Sequence, residues 1–170
     1  ARGLIDPLLA VVDKTEKNAG IVLAQEKLLT QVGQALKAIN RQSGELLDAT
    51  EAIAAAKVQQ DALPTEVSAA GRLVMLTQRI GKSAQETIGA RGVSPEAVFL
   101  LGKDLNTFRD IAHGLLDGSA ELRLTATRDA ATRERLQALI AAHDQLRIQA
   151  GSILGNLQGL VAAREAQTAV

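Results

Sequence analysis

The sequence has no cysteine, no tryptophan and no tyrosine, its only phenylalanines are Phe99 and Phe108, and proline occurs only at Pro7, Pro64 and Pro95. Each absence excludes a class of function. Without thiols there is no disulfide, no thiolate zinc site and no cysteine nucleophile. Two phenylalanines cannot build the stacking platforms on which single-stranded nucleic acid is held. Lysine and arginine total 19 against 19 aspartates and glutamates, for a net charge of zero. No basic stripe is left over for a phosphate backbone, so no nucleic-acid partner is expected. No run reaches the roughly eighteen apolar residues of a membrane span, and no basic-then-apolar leader is present. The chain opens at Ala1-Arg2-Gly3 and reads as a piece of something longer, so the missing span says little about the parent.

Alanine and leucine together make up about a third of the residues, and β-branched runs of strand length are missing. This composition predicts an all-α protein with a small-residue core, stabilised by long, regular helix contacts. The first helix is expected to start at Asp6-Pro7, with Asp6 as cap and Pro7 in the first turn, and to end near Asp61, before Pro64. A seven-residue repeat runs along it. One seam is Leu8, Thr15, Val22, Leu29, Leu36, Ser43 and Thr50; its partner is Val11, Asn18, Gln25, Val32, Ile39, Leu46 and Ile53. That period makes a left-handed coiled-coil seam, and its polar members set register at some cost in packing.

A second helix is expected from about Thr65 to Gly89, with Val67, Ala70, Leu73, Leu76 and Ile80 on its apolar side, followed by a loop over Ala90 to Val93. Ser94-Pro95-Glu96 starts the third: a cap, a proline and an acid at the positive end of the dipole. Its apolar face is Val98, Leu101, Leu105, Phe108, Ala112 and Leu115, and Gly118 stops it. Ser119 to Thr127 reads as a loop, extended at Leu122 and Leu124. The fourth helix runs from about Arg128 to Gln167 on a seam of Leu136, Leu139, His143, Leu146, Ala150, Ile153, Leu157 and Leu160.

Long, short, short, long is the order of an elongated antiparallel four-helix bundle with long outer and short inner helices. Four helices pack at one end and two form a stalk at the other. So polar a stalk is marginal alone, and a second copy would complete it, which predicts a homodimer. Asp13–Leu23 (DKTEKNAGIVL) and Asp144–Leu154 (DQLRIQAGSIL) share a faint pattern. Either helical seams coincide, or the first helix, residues 1–62, continues from a preceding module and residues 63–170 complete a second one.

The stretch Ala69–Lys82, AAGRLVMLTQRIGK, is the most distinctive. Helical spacing puts Arg72, Arg79 and Lys82 near one side, with Met75 between them and Gln78 able to donate and accept. These five residues are the candidate site for a small anion or carboxylate. The bland alternative is a set of solvated cations answering Glu66, Glu86 and other acids. His143, on a seam beside Asp144, has no second ligand at helical spacing and reads as a satisfied or interfacial imidazole. His113, in HGLLDGSA, faintly resembles a phosphotransfer histidine, but the Gly-Ser-Ala is one residue late and the expected lysine is missing. No hydrolytic triad or glycine-rich phosphate loop occurs. No catalytic residue, metal ligand or cofactor is expected, and the chain does not read as an enzyme.

Met75-Leu76-Thr77-Gln78-Arg79 resembles the signature of the sensory domain of type IV pilus methyl-accepting chemotaxis transducers, the PilJ family. Val93–Ala97, Leu100–Arg109, Leu115–Gly118 and Gln149–Val161 are similar to its later helices. The resemblance covers about 65 to 165 well and points to the second of two tandem modules. It implies a periplasmic domain of an inner-membrane protein, with flanking spans, that detects a small ligand or a pilus protein such as the pilin subunit. It also implies a cytoplasmic rod coupled to a chemotaxis-type histidine kinase and adaptor, with control of twitching motility. In related nitrate-sensing bundles an arginine directly precedes the methionine. Here that position is Val74, so nitrate is not carried over. The rival functions are a structural coiled-coil scaffold without a ligand and a phosphotransfer domain using His113.

Overall fold

Four helices carry the chain: α1 (Arg2–Gln59), α2 (Pro64–Glu86), α3 (Pro95–Asp117) and α4 (Ala130–Thr168). The structure is a computed structural model and describes residues 2–89 and 92–168. The helices contain 58, 23, 23 and 39 residues. At 1.5 Å per residue these are rods of about 87, 35, 35 and 58 Å. α1 and α3 each pack against both α2 and α4, so the helices form a closed ring around one core. Along α1, Asn40 meets Gln85, Ser43 faces Gly81 and Lys57 meets Glu66.

The repeat of α1 is buried only in part. Val32, Ile39, Leu46 and Ile53 are fully buried seven residues apart, joined by Thr50 and Ala35. Before Val32 the same repeat points into solvent: Val11, Val22 and Leu29 are exposed. The seam residues Leu8 and Gln25 have side chains outside the described residues. The faces expected on α2 and α3 are those that pack, with Val67 and Val98 at their half-buried edges. On α4, Leu136, Leu139, His143, Leu146, Ala150 and Ile153 are buried; the side chains of Leu157 and Leu160 lie outside the described residues.

The boundaries depart from expectation in four places. α1 begins at Arg2, so Pro7 lies inside the helix rather than at its first position. One missing amide near a helix end costs a single backbone bond, which good helix formers on either side tolerate. The cap proposed for Asp6 concerns a side chain outside the described residues. α2 stops at Glu86, three residues before Gly89. Ile88–Gly89 (β1) instead pairs antiparallel with Gly92–Val93 (β2), and the Ser94 amide donates to the Thr87 carbonyl at 3.0 Å. This two-residue ladder replaces part of the expected loop. α4 starts at Ala130 rather than near Arg128, because the Asp129 carboxylate accepts from the Thr132 amide at 2.8 Å. Of the two leucines expected to be extended in the α3–α4 loop, Leu124 is: it exchanges two 2.9 Å backbone hydrogen bonds with Ser119. Leu122 sits in the turn between them.

α3 follows expectation at both ends. The Ser94 hydroxyl accepts from the Ala97 amide at 3.2 Å. Gly118 ends the helix at φ 87°, a left-handed value that a side chain resists. Gly114, one turn earlier, lets the loop lie on the helix: a Cβ there would come within 3.0 Å of Leu124 and 3.4 Å of Leu122.

Candidate functional site

α2 presents the five candidate residues in three directions. Arg79 reaches α3 and pairs with Asp104 at 3.1 Å. Gln78 and Lys82 line a shallow groove between α1 and α2, with Asn40, Ser43 and Gln85, and Lys82 also pairs with Glu86 at 3.7 Å. Arg72 lines a separate cavity between the start of α2, the end of α3 and the α3–α4 loop. Met75 is 45% exposed between these surfaces. A residue every three or four positions stays near one side of a helix, but a bundle helix has neighbours on two flanks, and the cations divide between them. The bland alternative is met by Lys82 with Glu86 and by the partly exposed Arg79 with Asp104. Glu66 answers a different cation.

That cation is Lys57. Its ammonium is buried at the end of the bundle where the α1–α2 turn meets the α3–α4 loop. It lies 3.6 Å from Glu66 Oε1 and donates to Thr127 Oγ1 at 2.8 Å. Thr127 Oγ1 in turn donates to the Leu115 carbonyl at 2.6 Å. Glu66 accepts from the Thr125 hydroxyl at 3.1 Å and, through its other oxygen, from the Leu63 amide at 3.2 Å. Arg133 adds bonds to the Leu116 and Thr127 carbonyls at 2.6 and 2.9 Å. Both carboxylate oxygens of Glu66 are satisfied, as a buried ion pair requires. Asp129, at the rim, is held below the usual carboxylate range, chiefly by its hydrogen bond to the Thr132 side chain.

Farther along the bundle the polar groups are less well served. The ring of His143 is buried and stacks on Phe108, with centroids 4.6 Å apart and planes 9° from parallel. The Leu105 backbone lies beside the ring, without a well-formed hydrogen bond to either nitrogen. The imidazole is central to the core, as its seam position implies. Loss of hydration dominates and pushes its pKa down to about 4, against smaller opposing pulls from Asp144 and the Leu105 backbone. Asp104 is buried too, and its second oxygen, Oδ2, has no partner beyond the Arg79 pair on Oδ1. His113 is exposed in the last turns of α3.

Three buried ionisable groups were not among the candidates, and each carried a signal. Lys57 is one heptad beyond Thr50 on the seam. Asp104 falls between Leu101 and Leu105 on the apolar face of α3. Glu66 is the third residue of a helix that opens with Pro64, a capping position. No metal-binding group of acids and histidines occurs among the described residues, and none of the described helices is long and apolar enough to cross a membrane.

A family model described as PilJ, type IV pili methyl-accepting chemotaxis transducer N-terminal domain, matches residues 47–169, well over half of the chain. No curated protein matches the chain.

Proposed function

The chain belongs to the PilJ family, the N-terminal domains of type IV pili methyl-accepting chemotaxis transducers, and from that premise we propose that it is the periplasmic sensory module of an inner-membrane receptor controlling twitching motility. The family is one of signalling domains, not of enzymes. In this reading the helical head, residues 63–170 with the upper part of α1, detects a small ligand or a pilus protein such as the pilin subunit. It passes the signal on as a small displacement of α1 and α4. A preceding module leads into residues 1–62, and the parent couples to a chemotaxis-type kinase and adaptor.

One observation carries the proposal. α1 continues far below Val32, its last fully buried residue, keeping a heptad repeat whose Val22 and Leu29 are exposed among the described residues. An apolar repeat in solvent is a seam awaiting a second helix. The open faces of α4, with Ile148 exposed and nothing within 4 Å of Gly151 or Gly155, favour a second copy as that partner. An antiparallel course fits the contacts of α1 with α2: as α1 rises through Asn40, Ser43 and Lys57, α2 falls through Gln85, Gly81 and Glu66. The five candidates on α2, from Arg72 to Lys82, then face the flanks of the head, where a ligand or partner would bias the rods.

Cysteines at Val22 or Leu29 in the intact transducer should form disulfide-linked dimers, and the yield should change when pili are engaged. Leu29→Glu should abolish the cross-link from Val22→Cys and reduce twitching while leaving the unfolding of the head unchanged. A chain that stays monomeric at all concentrations, or twitching that is insensitive to Leu29→Glu, would refute the proposal.

A further inference from the structure

We infer that the cavity beside Arg72 is a binding site for a small monocarboxylate with a compact branched or aromatic tail. The cavity is an open depression of about 360 Å³ between the start of α2, the end of α3 and the α3–α4 loop. That is the lower end of the range in which proteins hold small ligands. Its floor is apolar: Ile111 and Leu124 are buried and Leu122 is half-buried. Its wall on α2 carries the hydroxyls of Thr65 and Ser68 and the guanidinium of Arg72.

These three polar groups are exposed on the wall of the cavity and make no side-chain bond among the described residues. The five ion pairs among the described residues employ Lys57, Arg79, Lys82, Arg109 and Arg133, and Arg72 enters none. Thr77, the other threonine of α2, returns its hydroxyl to the Leu73 carbonyl, and Thr87, just past the helix end, does the same to Ser83. Thr65 and Ser68, in the first turns, have no such bond among the described residues. A forked cation with two free hydroxyls, set over a leucine and isoleucine floor, matches a carboxylate joined to an apolar group. A tail without charge would gain nothing from the exposed guanidinium, and an anion without a tail would leave the floor wet.

The loop that supplies Leu122 and Leu124 also supplies Thr125 and Thr127, which bond to Glu66 and Lys57. A ligand held between Arg72 and these leucines therefore tightens the same loop that ties α1 to α2. That consequence rests on the sensory reading above; the binding itself does not.

Titration calorimetry on the 170-residue chain should detect saturable binding of isovalerate and 3-phenylpropionate. Acetate and the two corresponding amides should bind about tenfold more weakly or not at all. Arg72→Gln should weaken the acids about tenfold, Arg72→Lys should recover part of that loss, and Ser68→Leu should narrow the cavity and weaken the longer acid more. Arg41→Gln, an exposed cation on α1 away from the cavity, should change nothing, and unfolding curves of all four variants should match the parent. Amides that bind as well as the acids, affinity indifferent to Arg72→Gln, or no saturable heat with either acid would overturn the inference. If the acids bind through Arg72 but leave the output of the intact transducer unmoved, the site stands and its coupling to the output fails. If output responds to them equally with Arg72→Gln, the site fails and the sensory reading stands.

Discussion

Two buried polar clusters occupy the same helical head and are built on opposite terms. At its end, Lys57 and Glu66 are closed in by Thr125, Thr127 and the Leu63 amide, and each charged group has at least two partners. Nearer its middle, His143 has a ring to stack on and the Leu105 backbone beside it, and Asp104 has one oxygen paired and one orphaned. The first cluster joins two connections that would otherwise be independent, the α1–α2 turn and the α3–α4 loop. The second joins α2, α3 and α4 and holds its polar atoms at a standing cost. A satisfied network fixes one arrangement, whereas a partly satisfied one leaves free energy to be gained by rearrangement. The end of the head is thus closed by mutually satisfied polar groups, and the middle is held mainly by apolar packing and the Phe108–His143 stack.

The largest test of this contrast is at the end of the head. Glu66→Ala strands the Lys57 ammonium in the core and should cost about 3–5 kcal/mol in denaturant unfolding. The double variant Lys57→Met with Glu66→Leu removes both charges and should recover most of that loss. A double variant as unstable as the single one would mean that the cluster stabilises through more than mutual compensation.

The next effect comes from His143 and has a definite sign. The folded ring stays neutral down to about pH 4, whereas the unfolded ring takes up its proton near its ordinary value of 6.5. Between those values the unfolded state binds more protons, so stability falls as the solution is acidified. The loss between about pH 7.5 and pH 4.5 should approach 2–3 kcal/mol from this group. Acid titration of the unfolding midpoint would measure it, and His143→Leu should flatten the slope in that window. A slope unchanged by His143→Leu would assign it to the carboxylates, whose own loss belongs at lower pH.

The smallest effect is expected at Asp104. Its partner Arg79 is nearly half exposed, which screens the pair, and one oxygen is already unsatisfied. Asp104→Asn should therefore cost about 1 kcal/mol or less in the same unfolding measurement. A loss as large as that of Glu66→Ala would erase the distinction between the two clusters.

Much of the head was legible in the sequence because its helices obey simple periodicity. The spacing of Leu101, Leu105, Phe108, Ala112 and Leu115 admits one buried face, and Ser94-Pro95 and Gly118 mark its ends by local chemistry alone. The end of α2 was less legible, since the choice between a last helical turn and a short ladder at Ile88–Gly89 depends on what Val93 and Ser94 do across the turn. The candidate site was legible as composition but not as geometry. The spacing of Arg72, Arg79 and Lys82 is real, yet the packing of α1 on one flank of α2 and α3 on the other sends Lys82 to one groove and Arg79 to Asp104.

The sequence alone determined the class of the protein and the faces of its helices, because apolar periodicity and capping residues act over one or two turns. It also carried the resemblance that the family match bears out. Only the tertiary structure decided where the repeat of α1 passes from core to solvent at Val32, which cation Glu66 would keep, and that His143 would stack on Phe108. Those outcomes depend on which helix ends lie level with one another, and a one-dimensional pattern holds no record of that alignment.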